Sequence, residues 1–185
     1  MLKAAELYNT IISDWTKKKD SIPWKSSSNS VWTKWIKDRF SDIGYKLEYE
    51  VARSKSNKYG EGEYLVDLCW WKEQDNKYWL EMALESEWWP GEDEIDHDFC
   101  KLTDIKAYLK IWICSYGNRI IDARKSRMCK NVAKGRFKLQ EEEQYLVINL
   151  PDPQKEEYKN KLIVDAFWID SAGKDYPLTS HLIAQ

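Results

Sequence analysis

Glycine is scarce in this chain, at 7 of 185 residues. Phosphate cradling by a glycine-rich loop therefore has little raw material. No P-loop, dinucleotide fingerprint or GxSxG nucleophile elbow is present. Histidine is scarcer still, with only His97 and His181. His97 stands beside acids and reads as structural or exposed. The four cysteines, Cys69, Cys100, Cys114 and Cys129, form no CxxC pair, so zinc-site spacing is missing. No apolar run approaches the ~18 residues of a membrane span, and no charged-then-apolar leader opens the sequence. The expectation is a cytoplasmic chain with reduced cysteines and no membrane partner. Positive charge is not in excess either, the formal net charge being −2. Affinity for nucleic acid must then come from a local patch.

What is present suits a folded core. Hydrophobic residues make up 43% and charged residues 32%, a balance that disordered chains lack. The length fits a single domain over residues 1–185. Eleven Trp and eleven Tyr are expected to fill the core first and to offer stacking surfaces second.

Apolar spacing predicts a helix over 2–16, with Lys17, Lys18 and Lys19 at its C-terminal end. A second helix is expected from a Ser28 or Asn29 cap, with Val31, Trp32, Trp35, Ile36, Phe40 and Ile43 as its stripe and Gly44 as its end. Strands are expected over 45–52, 63–71 and 77–87, with a hairpin turn in 72–76. A helix from Glu94 to about Ala107 precedes a buried strand, Leu109 to Cys114. A further helix opens at Gly117 and Asn118 and stops at Gly135. Strands near 145–150 and 162–169 follow. The class is α/β, a central mixed sheet flanked by helices, with an N-terminal helix and C-terminal helix and strand additions. The core order over roughly 29–115 is α-β-β-β-α-β.

Strand alternation puts Glu81, Ala83, Glu85 and Glu87 on one face and Leu80, Met82 and Leu84 on the other. Asp67 is embedded in the apolar run LVDLCWW, where an unpaired acid is costly. If the second and third strands form a hairpin, these acids converge on one side of the sheet. A divalent cation relieves their repulsion, because Mg²⁺ takes oxygen ligands and is held by one or two carboxylates plus water. Salt bridges to Lys or Arg are the rival account.

Asp67 followed by Glu85-Ser86-Glu87, on the second and third strands of that core, resembles the PD-(D/E)XK nuclease motif. The usual Lys of the motif is replaced by Glu87, which is similar to the ExE form of some restriction endonucleases. The resemblance implies that Asp67 and Glu85 hold the metal, Mg²⁺ with Mn²⁺ as the alternative. Glu50 on the first strand would take the place of an upstream acid that helps to hold a second ion. Glu87, or Lys101 reaching in from the following helix, would orient or deprotonate the attacking water, with Lys106 behind Lys101. The implied activity is hydrolysis of DNA phosphodiester bonds, by an enzyme of restriction or mobile-element type that often acts as a homodimer.

A basic run, Arg124, Lys125, Arg127, Lys130, Lys134, Arg136 and Lys138, lies beyond the motif and is countered by Glu141, Glu142 and Glu143. It reads as a phosphate-tracking helix or as a solvated face. The alternative to an enzyme is a non-catalytic protein on the same fold, binding nucleic acid or a protein partner.

Overall fold

The computed structural model describes residues 2–23, 28–54, 66–88, 92–115, 122–135, 142–151 and 162–184, with backbone alone for 92–96 and 184. The chain is α/β. Among the described residues, four α-helices flank a mixed eight-stranded sheet.

Helix α1 (Ala4–Lys17) buries Ala4, Leu7, Tyr8, Ile11 and Trp15, a 3–4 spacing that makes one apolar face. Helix α2 (Asn29–Lys46) buries Trp32, Trp35, Ile36, Phe40 and Ile43. It runs through Gly44, which was expected to end it. A Cβ at Gly44 would stand 2.6 Å from Trp70 Nε1 and 2.8 Å from Val51 Cγ2. The glycine thus serves close helix–sheet approach rather than termination. The helix ends at Lys46, and Glu48 takes the left-handed conformation at φ 62°.

Strands β1 (Glu50–Arg53), β2 (Leu68–Gln74) and β3 (Lys77–Trp88) pair antiparallel in sequence order. The β2–β3 turn is Asp75-Asn76, both at positive φ (55° and 56°), the backbone of a two-residue hairpin. Helix α3 (Glu92–Asp104) leads to β4 (Leu109–Ser115), which lies parallel to β3. Helix α4 (Asp122–Lys134) leads to β5 (Gln144–Leu150), parallel to β4. Strands β6 (Leu162–Asp170), β7 (Asp175–Pro177) and β8 (His181–Ala184) complete the sheet, β7 and β8 both pairing with β6. The predicted helix start at 117–118 lies outside the described residues.

The sheet separates two cores. One holds α1, α2 and the strand residues Leu68, Trp70, Met82, Leu84, Ile111 and Ile113. The other holds Phe99 and Leu102 of α3, Met128 and Val132 of α4, and Cys69, Ala83, Trp112 and Cys114. Every residue of β4 is buried, as a central strand covered on both faces requires. Trp15, Trp70 and Trp112 are fully buried, each contributing roughly 3 kcal/mol of burial.

One departure from alternation matters. The β2–β3 register pairs Trp70 with Met82 and Trp71 with Leu80, which leaves Glu81 unmatched as a β-bulge. Glu81 was expected to share a face with Glu85. The extra residue instead sends Leu80 to the α3 layer, while the buried Glu81 accepts the Leu2 N–H at 2.8 Å. A bulge shifts the phase of the pleat.

Candidate active site

The carboxyl end of β3 gathers the ionisable groups. Trp88, at the end of that strand, donates its indole N–H to Thr33 Oγ1 at 2.8 Å and packs on Trp32. This contact docks α2 against the strand end and sets Lys37 beside it.

Asp67 was expected inside the second strand. It falls in a bend just before β2, and so escapes the alternation of the strand. Its Oδ2 accepts the Ser86 N–H at 3.0 Å and the Ser86 hydroxyl at 2.7 Å. Its Oδ1 lies 2.6 Å from Lys37 Nζ. Lys37 also donates to Ser54 Oγ at 2.9 Å. Both partners are largely covered, with side-chain exposures of 12% for Lys37 and 19% for Asp67. The Asp67 carboxylate is thus engaged on the side of the sheet that carries α2.

Glu85 is engaged on the side that carries α3. Burial pushes its carboxyl up to about 7, and the charge of Asp67 adds to the rise. The charge of Lys101 and the Asp67 backbone N–H, which donates to the Glu85 carboxylate, work against it. Lys101 comes from α3 and pairs first with Asp98, at 2.5 Å. That hydrogen bond holds its ammonium above the usual lysine range, with Glu85 and Glu87 adding their charges. Asp98 is in turn held below the ordinary carboxylate range: burial works upward, but Lys101 and His97 outweigh it. His97 is exposed and stands 3.3 Å from Asp98. Glu87 follows Glu85 on the same face, paired in register with Cys114 of β4, and accepts the Trp88 N–H at 3.1 Å.

The structure therefore brings Asp67, Glu85, Glu87 and Lys101 to one end of the sheet and adds Lys37, Ser86 and Asp98. The expected convergence of Asp67 and Glu85 on one face is corrected. They are neighbours across the end of the ladder: Asp67 is ion-paired with Lys37, while Lys101 is paired with Asp98 and acts on Glu85 through its charge alone. Glu50 is not brought to them. It sits opposite Trp71 with its charge acting on Tyr78, while Asp67 meets the other end of β1 at Ser54. Four residues of strand separate Glu50 from that end, about 13 Å.

Lys37 was missed in the sequence because it sits next to the apolar stripe of α2 and looks like any solvated helix lysine. Only the pairing of α2 with the strand end distinguishes it.

Two carboxylates fit Mg²⁺ in number and donor type, since that ion completes its shell with water. The raised Glu85 carboxyl is the kind of uncompensated charge a cation relieves. Among the described residues no group of three or more His, Cys, Asp or Glu is arranged around one point.

Of the basic run, Lys125 is turned inward. It pairs with Asp175 and lies 4.9 Å over the Phe167 ring. Arg124 stands near Cys114, close to the carboxylate end. Arg127, Lys130 and Lys134 are exposed at the 3–4 spacing of one helix face. Arg136, Lys138 and Glu141 lie outside the described residues. Glu143, expected to counter that run, is instead buried beneath β4, where Lys110 Nζ meets it at 2.8 Å. No helix among the described residues is long and apolar enough to cross a membrane. No protein-family model matches the chain, and no curated protein does.

Proposed function

We propose that this chain is a metal-dependent endonuclease that hydrolyses DNA phosphodiester bonds, with a PD-(D/E)XK-like core over roughly 29–115. The observation that carries the reading is the Asp67–Glu85 pair at the end of β3, flanked by Lys37 and Lys101. The element order α2-β1-β2-β3-α3-β4, antiparallel through β3 and then parallel, supports it.

To hold Mg²⁺ or Mn²⁺ together, Asp67 and Glu85 would turn toward each other across the strand end from the α2 and α3 sides they face here, and the ion would supply a more acidic bound water and charge neutralisation at the phosphate. Lys37 and Ser86 fix the Asp67 carboxylate. Lys101, held by Asp98, supplies positive charge beside Glu85 and Glu87. Glu87 orients the attacking water and accepts its proton. Water adds to phosphorus and the bond to the leaving sugar oxygen breaks. That oxygen then takes a proton from solvent. The exposed stripe Arg127–Lys130–Lys134 would track phosphates.

The test is incubation with plasmid in Mg²⁺, Mn²⁺ or EDTA, for wild type and Asp67→Ala/Glu85→Ala. Metal-dependent cleavage that the double variant loses supports the reading. Absence of cleavage with either metal favours a non-catalytic binding protein on the same fold. The observation on that side is that Asp67 already has Lys37 as its counter-charge.

A further inference from the structure

At the opposite end of the sheet lies a cavity of about 440 Å³, between the β2–β3 hairpin and the segment joining α3 to β4. It lies about 16 Å along β3 from Glu85, counting from Leu80. Its wall includes Trp71, Tyr78 and Leu80. The phase shift at Glu81 places Leu80 in the α3 layer beside Trp71. Tyr78, on the same face as Leu80, is 56% exposed, with the charges of Glu50 and Glu73 acting on its hydroxyl.

The buried charged residue of the lining is Glu143. Its Oε2 accepts from Lys110 Nζ at 2.8 Å and from the Tyr145 hydroxyl at 3.3 Å. Lys110 is fully buried and sits 4.8 Å over the Tyr145 ring. Oε1 has no hydrogen-bond partner among the described residues. A carboxylate paired with an ammonium accepts hydrogen bonds and donates none. A carboxylate oxygen that this pairing leaves over selects a donor. Lys106, exposed at the rim, adds a positive charge.

We infer that this cavity binds a nucleobase bearing an exocyclic amino group, such as adenine or cytosine, with Lys106 placed for the attached phosphate. An aromatic wall takes the flat ring, since stacking on aromatic side chains contributes roughly 1–3 kcal/mol per base. Glu143 Oε1 takes the amino group. Uracil is disfavoured, because its one edge N–H is flanked by carbonyls that repel a carboxylate. The cavity volume is in the range of small-molecule sites. The ligand chemistry is shared by a free nucleotide and by a single-stranded nucleic-acid segment. The inference stands apart from the nuclease reading, because none of its residues lies at the Asp67–Glu85 end; Lys106, expected behind Lys101, lines this cavity instead.

The experiment is calorimetric titration in EDTA, which keeps metal-dependent chemistry out. AMP, CMP, UMP, a four-residue oligodeoxyadenylate and the matching oligothymidylate are the probes. AMP and CMP should bind saturably and UMP at least about tenfold more weakly. Tyr78→Ala, at an exposed site that leaves the fold intact, should weaken AMP binding about tenfold or more. Glu143→Gln should erase the preference for AMP over UMP. Tighter binding of the oligodeoxyadenylate than of AMP identifies a single strand as the source, and the reverse order a free nucleotide. No saturable binding of AMP, CMP or oligodeoxyadenylate overturns the inference. So does AMP binding that Tyr78→Ala leaves unchanged.

Discussion

Lys37 Nζ stands 2.6 Å from Asp67 Oδ1, joining a helix to a bend that begins 29 residues later in the sequence. The pair is mostly covered, so removing one partner strands the other. Lys37→Met is expected to destabilise the fold by about 1–3 kcal/mol, less than the cost for a fully buried pair. If Asp67 serves cleavage, the same change should slow it about 100-fold or more while DNA affinity falls little. Urea unfolding and single-turnover cleavage measure the two effects. Wild-type stability and rate in the variant would show that the contact does nothing.

Glu85 should make stability depend on pH with a defined sign. Its carboxyl is raised from 4.5 to about 7 in the folded chain, so the folded state holds a proton that the unfolded state releases. Stability from this group is full below pH 4.5 and is lost as pH rises through about 7. The loss is on the order of 2 kcal/mol, at about 1.4 kcal/mol per pKa unit with a discount for solvent screening. Glu85→Gln should remove that slope, and Mg²⁺ at pH 8 should raise the midpoint of the wild type but not of the variant. Denaturation at pH 5, 6, 7 and 8 checks this. Parallel curves for the two proteins would refute it.

Glu87→Ala is expected to abolish cleavage and leave DNA binding largely intact, with Lys101→Ala the milder change. The geometry gives the reason. Lys101 is held first by Asp98, whereas Glu87 follows Glu85 on one face of β3. Single-turnover rates and equilibrium binding decide between them. A dead Lys101→Ala beside an active Glu87→Ala reverses the assignment.

Arg127, Lys130 and Lys134 should each contribute about one unit to the salt slope of DNA binding. Replacing all three with Gln should flatten the slope by about three. Lys125→Gln should leave it nearly unchanged, since that side chain is committed to Asp175. Binding isotherms at several salt concentrations test both. Equal slopes for wild type and the triple variant return this stripe to a solvated helix face.

Period and turn chemistry made most elements readable. The stripe of α2 and the buried β4 were visible because each rests on local patterning, and the hairpin turn expected over 72–76 narrows to Asp75-Asn76 because Lys72 to Gln74 still pair with β3. Asp67 was readable as an acid out of place in an apolar run, and Glu85 through strand alternation and the motif it forms with Glu87. What local pattern does not carry is which partner arrives from afar. Lys37 depends on how α2 docks through Trp88 and Thr33. Glu143 reads as one of three like acids until its contact with Lys110, 33 residues away. The bulge at Glu81 left no mark either, since one extra residue in an alternating run leaves the composition unchanged.

That bulge makes β3 two strands in series. Downstream of it, Ala83 faces the α3 layer and Glu85 and Glu87 follow; upstream, Leu80 and Tyr78 point to the same layer only because the count slips by one. Deleting Glu81 would join Leu80 directly to Met82 in a regular ladder, with the pairs Trp71↔Leu80 and Trp70↔Met82 on the faces they now hold, whereas deleting Leu80 or Met82 would seat Glu81 in an apolar slot. The two ends of the sheet can therefore be altered separately on either side of residue 81, and the one change of length the strand between them absorbs is the loss of that residue.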